Sequence, residues 1–465
     1  MSAPTAERPL RVAVVGSGPA GFYAAGALLA SDLAVEVDMI ERLPTPWGLV
    51  RLGVAPDHEN IKAVSRAFEK IAARPGYRFF GNVEVGRDVT HDDLSRLYDA
   101  VVYTFGAQTD RRLEIPGEDL PGSWPATAFV AWYNGHPDFQ DLSFDLSHER
   151  AVVIGNGNVA IDCARMLSLT REELAPTDTT DAAVEAIVDS GVREIVMLGR
   201  RGPVQASFTP VELQELGELG GADVVVDPAE LELDPASEAA LAEDRDRVRR
   251  NIEILREFAQ REPSGKPRTL QLRFLVSPVA ILGGDHVEAV EVVHNELVSD
   301  EQGRIVARPT DRREVIPCGL VLRSVGYRGV ALEGVPFDER GAVIPNQGGR
   351  VVGTNSAHIT GVYCAGWIKR GPTGVIGTNK KDATETVQLL LEDAAAGLIG
   401  TEAKDGSLEA LLEEREVEAV TYAGWESIDR SERTRGQPLG RPRVKHATWD
   451  DLLEAARAAT VTTES

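Results

Sequence analysis

Two glycine clusters, and the charged residues that follow them, carry the chemistry this chain can do. The first is Gly16-Ser-Gly18-Pro-Ala20-Gly21 and the second is Gly155-Asn-Gly157-Asn158-Val159-Ala160. Each closes an apolar run, Val12 to Val15 in one case and Arg150 to Ile154 in the other, and each opens into a segment of helical character. In the order strand, tight turn, helix, such a cluster makes a dinucleotide site. The first glycine permits the turn, the second lets a pyrophosphate approach the backbone, and the third lets helix and strand pack closely. Ala160 takes the third place in the second cluster, a replacement the fingerprint allows. A helix N-terminus at each turn offers unpaired N–H groups and a positive dipole end to phosphates.

The ribose ends of the two sites differ. The strand Val35 to Ile40 ends at Glu41, about 20 residues beyond Gly21, where a carboxylate accepts hydrogen bonds from a ribose and repels a 2′-phosphate. The first site therefore reads as FAD or NAD and not NADP. The strand Glu194 to Leu198 ends instead in Gly199-Arg200-Arg201, and two guanidiniums match a 2′-phosphate in charge and forked geometry. The second site reads as NADPH, against the alternative of a solvated surface pair. A third glycine-rich loop, Gly366 to Thr378, follows the apolar strand Gly361 to Ala365 and precedes a helix from about Lys380 to Ala394. It can present N–H groups to an electron-rich ring.

FAD and NADPH on one chain imply hydride transfer from nicotinamide to flavin, chemistry that the cofactors carry and the protein orients. No Ser/His/Asp set, carboxylate pair or metal cluster competes with that reading. Cys163, Cys318 and Cys364 are isolated and form no CxxC, so the electrons are expected to leave for an external acceptor rather than an internal disulfide.

The elements that must position these groups come in two blocks. At 465 residues the chain is too long for one ordinary core. A loop from Arg42 to His58, rich in proline and glycine, follows the first site and is placed to wrap a cofactor. Periodicity predicts an amphipathic helix over Ile61 to Ala73, with Val64, Phe68 and Ile71 on one face. Strands are predicted at Phe79 to Val85, Ala100 to Thr104, Leu270 to Val276 and Val287 to Val293. Ile115 to Gly122 reads as a crossing between domains, and Leu320 to Val325 before Gly326 as the return. Leu241 to Arg261 is predicted to be one charged helix. It bears Arg245, Arg247, Arg249 and Arg250, the densest positive cluster of a chain whose formal charge is −24. That cluster is either a docking patch or a solvated face balanced by Glu243, Asp244 and Asp246. Helices near Leu408 to Glu414 and from Thr448, capped through Asp451, read as structural. The acidic balance argues against nucleic acid as a partner, and no run of eighteen apolar residues suggests a membrane span, so a cytoplasmic location is expected.

Five blocks, in order along nearly the whole chain, carry a family resemblance: Pro44 to Arg51, Gly53 to His58, Gly155 to Ala160, Arg200 to Pro203, and Gly366 to Ile376. With them the chain resembles the adrenodoxin reductase-like ferredoxin–NADP⁺ reductases, and their bacterial members most. The resemblance implies an α/β protein of two Rossmann-like dinucleotide-binding domains in a glutathione-reductase-like architecture. The FAD domain would be discontinuous (1–108 and 326–465, the latter with the C-terminal helices), with the NADP(H) domain (109–325) inserted. It places FAD against Gly16, Gly18, Ala20, Gly21, Glu41, Leu49 and Val85, with Trp367, Gly374, Val375 and Ile376 at the flavin. NADP(H) would meet Gly157, Asn158, Val159, Ala160, Arg200, Arg201, Glu212 and Gly374. It also suggests an ionic pair of His58 with Glu215 that orients the nicotinamide; hydride transfer needs no general base, so this is tuning and not acid–base catalysis. The implied acceptor is a ferredoxin, a small acidic iron–sulfur protein. An acidic chain repels such a partner at long range, so docking needs a concentrated basic face. Arg245, Arg247, Arg249 and Arg250 are the candidates, with Lys369 and Arg370 at the flavin loop. The implied activity is transfer of electrons from NADPH through FAD, one at a time, to ferredoxin. Rival readings are an NADPH diaphorase or quinone reductase, the electron-input subunit of a larger redox assembly, and a nucleotide sensor without turnover.

Overall fold

The strand Leu10–Val15 is buried on both faces and lies inside a seven-stranded sheet. Leu10, Val12 and Val14 pack into one apolar cluster, Ala13 and Val15 into another, the pattern of a parallel strand covered on both sides. Parallel neighbours flank it: Val35–Ile40 and then Tyr77–Phe80 on one side, Ala100–Tyr103 and then His358–Cys364 on the other. Two short antiparallel strands, Arg350–Val352 and Asn346–Gln347, complete the sheet. The order reverses at Leu10–Val15, so the glycine turn after it sits at the crevice where doubly wound sheets bind ligands.

This computed structural model describes residues 8–243 and 246–461. The chain falls into two units. Unit 1 comprises residues up to Thr109, Gly326–Leu439 and residues from Arg443 onward; unit 2 comprises Asp110–Val325 and Gly440–Pro442. Unit 2 repeats the plan of unit 1. Its strand Arg150–Ile154 lies between Glu194–Leu198 and Leu320–Arg323, all parallel, in a six-stranded sheet. A separate three-stranded antiparallel sheet joins Val276–Leu282, Ala289–Ser299 and Ile305–Pro317. No helix of the described residues is long and apolar enough to cross a membrane.

Several elements differ from the sequence expectation. The single helix expected over 61–73 is two short ones, Glu59–Lys62 and Ser65–Ala72, separated where Val64 N donates to Ile61 O at 3.3 Å. Phe68 and Ala72 are buried, and Phe68 stacks on Phe22 of the first helix with ring centroids 4.8 Å apart. The strand expected to reach Val85 ends at Phe80, because Asn82 turns the chain with φ 58° and Glu84 N donates to Asp88 Oδ2 at 2.8 Å. The run expected as one strand over 270–276 is broken at Leu275, φ 58°, between strands Arg268–Arg273 and Val276–Leu282. The charged helix is two, Pro235–Glu243 and Arg247–Gln260; Asp244 and Arg245 lie outside the described residues. The helix expected from Lys380 starts a turn earlier, at Ile376, and runs to Ala395.

A buried ionic network, not anticipated from the sequence, anchors the loop after the first glycine turn. Arg51 makes a two-pronged bond to Glu432 of the helix Tyr422–Gly436, with Arg51 Nη1 2.9 Å from Glu432 Oε2 and the two side chains only 3% and 0% exposed. Arg443 Nη1 and His446 N also reach the carboxylate, at 3.2 and 2.9 Å. The Arg51 guanidinium lies over the Trp425 ring, and Trp47 meets Trp425 edge-on. Burial by itself raises the pKa of Glu432, but Arg51 and then Arg443 outweigh it and hold the carboxyl below its ordinary value. A lowered carboxyl pKa stabilises the fold above the ordinary glutamate range near pH ~4.3, and that contribution is lost as pH falls below it. Removing one member of such a buried pair strands the other charge, at a cost of about 3–5 kcal/mol. Glu432→Gln is therefore expected to lower the thermal transition of unit 1, followed by circular dichroism, by roughly 6 °C or more. An unchanged transition would show that the network does not support the loop.

Candidate functional site

In unit 1 four segments converge on the first glycine turn. The turn is tight because Gly21 has no side chain; a Cβ there would stand 2.1 Å from Gly16 O. At Gly18 a Cβ would meet nothing within 4 Å, so the backbone faces open space at the point where a pyrophosphate is expected. Ala20 and Gly21 lie in the first turn of the helix Pro19–Leu28, whose N-cap is Gly18. Glu41 closes on the turn. Its Oε2 accepts from Ser17 N at 3.0 Å and Ser17 Oγ at 2.7 Å, and its Oε1 from Leu43 N at 3.1 Å. The carboxylate is thereby fixed in orientation, and it keeps lone pairs for a ribose.

The loop 42–58 crosses the same turn. Trp47 N donates to Ser17 O at 3.0 Å, and a Cβ on Gly48 would lie 3.1 Å from Gly18 Cα. The Trp47 ring itself packs against Trp425, and its Nε1 is buried without a hydrogen-bond partner. Leu49 follows at 39% exposure. Val85 lies beyond the shortened strand in a bridge to Val89, while Val83 N donates to Glu41 O at 2.9 Å. The third glycine-rich loop arrives from the far end of the sequence: a Cβ on Gly366, φ 78°, would come within 2.6 Å of Ala20 Cβ. Trp367 packs near the Tyr327 ring, and its Nε1 donates to Thr373 O at 3.2 Å. Gly374 and Val375 are exposed, and Ile376 begins a 20-residue helix whose N-terminal dipole opens at the same loop. Open backbone at Gly18, a fixed Glu41 and the helix N-terminus behind the turn fit a bound dinucleotide.

Asp382 holds that third loop, and sequence reasoning missed it. It is 9% exposed, accepts from Gly366 N at 2.5 Å, and faces Lys369 Nζ at 3.0 Å and Arg370 Nη1 at 3.2 Å. Arg370 also reaches Asn379 Oδ1 at 2.9 Å, and Lys369 reaches Thr386 Oγ1 at 3.0 Å. This corrects an expectation. Lys369 and Arg370 are largely buried and already paired, so they do not form a basic docking face. No local pattern marks Asp382, because its partners lie twelve or more residues back across a loop.

In unit 2 the second turn is built the same way. Gly157 caps the helix Asn158–Met166, and a Cβ on Gly157 would meet only Ser207 Cβ at 3.9 Å. Asn156 O accepts from Ser207 N at 3.0 Å and Asn158 Oδ1 from Thr209 N at 2.9 Å, so the segment before the helix Pro210–Leu216 is tied to the turn. Val159 packs against the core, which buries Ala160 completely. Arg200 is exposed and Arg201 half-buried. Burial, and then the neighbouring Arg200 charge, lower the pKa of Arg201 from its ordinary value. Neither guanidinium meets a carboxylate among the described residues, so two adjacent cations stand uncompensated at the end of a parallel strand. Such a pair concentrates positive charge in a geometry that suits an anion.

Glu212 and Glu215 stand half-buried on the helix Pro210–Leu216, and Glu215 Oε2 lies 3.9 Å from Arg165 Nε. His58, half-buried in unit 1, precedes the helix Glu59–Lys62, its N donating to Ala55 O at 3.0 Å. On the helix Arg247–Gln260, Val248, Ile252, Leu255 and Phe258 face the core, while Arg247, Arg249 and Arg250 are exposed and Arg250 Nη1 lies 3.2 Å from Glu253. All three cysteines are buried, without disulfides.

Two Rossmann sheets, each with a glycine turn at its switch point and ribose ends of opposite charge, define an oxidoreductase that works with two dinucleotides. The pyridine nucleotide-disulphide oxidoreductase family matches residues 10–197. The chain is 51% identical over 457 residues to NADPH-ferredoxin reductase FprA of Mycobacterium tuberculosis, covering 96% of this chain and 99% of that one. It is 42% identical to the mitochondrial NADPH:adrenodoxin oxidoreductase of Arabidopsis thaliana, covering 97% and 96%. The solved structure of Mycobacterium tuberculosis FprA in complex with NADPH matches with a TM-score of 0.91 at 51% identity, covering 97% of this chain and 100% of that one. The chain belongs to the adrenodoxin reductase-like family of ferredoxin–NADP⁺ reductases.

The Asp382 cluster yields a direct expectation. Asp382→Ala strands two buried cations and frees Gly366 N, so release of FAD from the holoprotein should accelerate roughly tenfold or more. Fluorescence of released flavin measures this, and wild-type release would show that the loop is held by other contacts.

Proposed function

We propose that this protein takes a hydride from NADPH onto FAD and delivers electrons one at a time to a ferredoxin-type iron–sulfur protein. The observation that carries the reading is the contrast between Glu41, a carboxylate fixed at one glycine turn, and Arg200 with Arg201, an uncompensated dication beyond the other. The names of the relatives, which join NADPH to ferredoxin or adrenodoxin, support the same direction of reading. Bound FAD supplies the exchange between a two-electron donor and one-electron acceptors.

The chain's own residues bind, orient and tune. Residues 1–108 and 326–465 are read as the FAD domain and 109–325 as the NADP(H) domain. Gly16, Gly18, Ala20 and Gly21 offer backbone to the FAD pyrophosphate, and Glu41 orients its ribose. Leu49 and Val85 line that cofactor, while Trp367, Gly374, Val375 and Ile376 serve the flavin end with a helix N-terminus. Gly157, Asn158, Val159 and Ala160 take the NADPH pyrophosphate, Arg200 and Arg201 its 2′-phosphate, and Glu212 and the Gly374 loop its remaining polar edges. His58 and Glu215 act as an orienting ionic pair at the nicotinamide. Three buried thiols without disulfides support a cytoplasmic location.

The pair of arginines is tested by anaerobic titration of the flavin absorbance with NADPH and with NADH. Arg200→Ala and Arg201→Ala each remove charge-assisted bonds, and should raise the NADPH concentration needed by about 10–100-fold while leaving NADH unaffected. No difference between the two nucleotides in the unaltered protein would remove the reading of this site.

The acceptor is recognised by charge. The exposed Arg247, Arg249 and Arg250 form the face we assign to an acidic ferredoxin, with Arg245 outside the described residues. Reversing Arg247, Arg249 and Arg250 to Glu should raise the KM for ferredoxin by about tenfold at low ionic strength, less in high salt, with reduction of a small dye unchanged. Equal loss with both acceptors would exclude this helix as the docking face.

A further inference from the structure

The arginine pair that faces the dianion site is held by three successive backbone carbonyls, and the middle one depends on a single side chain. Gly199 O accepts from Val276 N at 3.0 Å and Arg201 O from Leu275 N at 3.1 Å. Arg200 O accepts instead from Asn295 Nδ2, at 2.8 Å. Asn295 comes from the strand Ala289–Ser299 of the antiparallel sheet, which belongs to neither glycine turn. It is 7% exposed, and its amide nitrogen also donates to Ser277 Oγ at 2.8 Å.

These bonds close a ring. Arg201 O is tied to Leu275 N, Leu275 O accepts from Asn295 N at 2.7 Å, and the Asn295 side chain returns to Arg200 O. Two irregularities mark the ring as built for a purpose beyond sheet pairing. Leu275 has φ 58°, a left-handed conformation that a leucine adopts only when its surroundings impose it. The register of the hairpin also shifts between Val293 and Asn295, a bulge of the kind that re-aims a side chain. Both departures fall on the two residues that bond to the arginine backbone.

We infer that Asn295 is the positioning residue for coenzyme selection: by fixing the Arg200 carbonyl, it orients the two guanidiniums toward a 2′-phosphate and so sets the preference for a phosphorylated nucleotide. A guanidinium fork is selective only when its stem is held, because a mobile cation attracts any anion while an oriented one matches the spacing of phosphate oxygens. This inference rests on Arg200 and Arg201 meeting the 2′-phosphate, as proposed above.

The test is calorimetric titration of the holoenzyme with adenosine 2′,5′-bisphosphate and with AMP, which differ only in the 2′-phosphate. Asn295→Leu keeps the side-chain shape and removes the donor. Affinity for the bisphosphate should fall about three- to tenfold and affinity for AMP should stay unchanged, with the same drop in the NADPH-over-NADH ratio of kcat/KM. Equal losses for both ligands, or no loss, would overturn the inference, since a merely structural role would weaken both alike. Should Asn295→Leu not yield folded holoenzyme, Asn295→Ala is read in the same way. Arg200→Ala, measured alongside, separates the two claims. If it lowers the discrimination and the Asn295 variants do not, only the role of Asn295 fails. If Arg200→Ala and Arg201→Ala both leave it untouched, the 2′-phosphate reading fails and the inference with it.

Discussion

The first helix can begin where it does only because Gly21 lacks a side chain and lies against the carbonyl of Gly16. Much of unit 1 depends on that close approach. It sets the helix N-terminus directly beyond the central strand, leaves open space at Gly18, and brings Ser17 N within reach of Glu41. Trp47 N then bonds to Ser17 O, and Gly366, from the other end of the sequence, closes on Ala20. A larger residue at the contact would part the helix from the strand and scatter every group that converges there.

Charge divides the work between the units. In unit 1 the carboxylate at the end of the second strand is satisfied by backbone and hydroxyl donors and so is rigid and single-valued. In unit 2 the equivalent strand ends in two adjacent cations, Arg200 and Arg201, that meet no carboxylate among the described residues, and the charge of Arg200 adds to burial in lowering the pKa of Arg201. The elements that hold these groups are of a different kind. Glu432 on Arg51, Asp382 on Lys369 and Arg370, and Asn295 on Arg200 are each largely buried, and each reaches back to a loop distant in sequence. The groups proposed to bind lie on or beside the turns, and the residues that hold them lie on helices and strands outside the glycine patterns.

The amino-acid sequence by itself determined the class of fold, the two glycine turns, the pair of dinucleotide cofactors, and the family. Those properties are local: a strand, a glycine spacing and the charge about 20 residues on lie within one stretch of chain, and the physics that links them acts over that stretch. Strand positions were legible for the same reason, since buried parallel strands are continuous apolar runs. The breaks at Leu275, at Asn82 and within 59–72 were not, because there the backbone yields to contacts made elsewhere.

Only the tertiary structure decided which charges are available. Lys369 and Arg370 look in sequence like the arginines of the helix Arg247–Gln260, a basic pair beside polar residues. Folding buries the first pair on Asp382 and leaves Arg247, Arg249 and Arg250 in solvent. Likewise nothing near Arg200 in the chain announces Asn295, some ninety-five residues later. A charge acquires its meaning from what lies within a few ångströms of it, and for a buried charge those neighbours are set by packing between distant segments, which spacing along the chain does not encode.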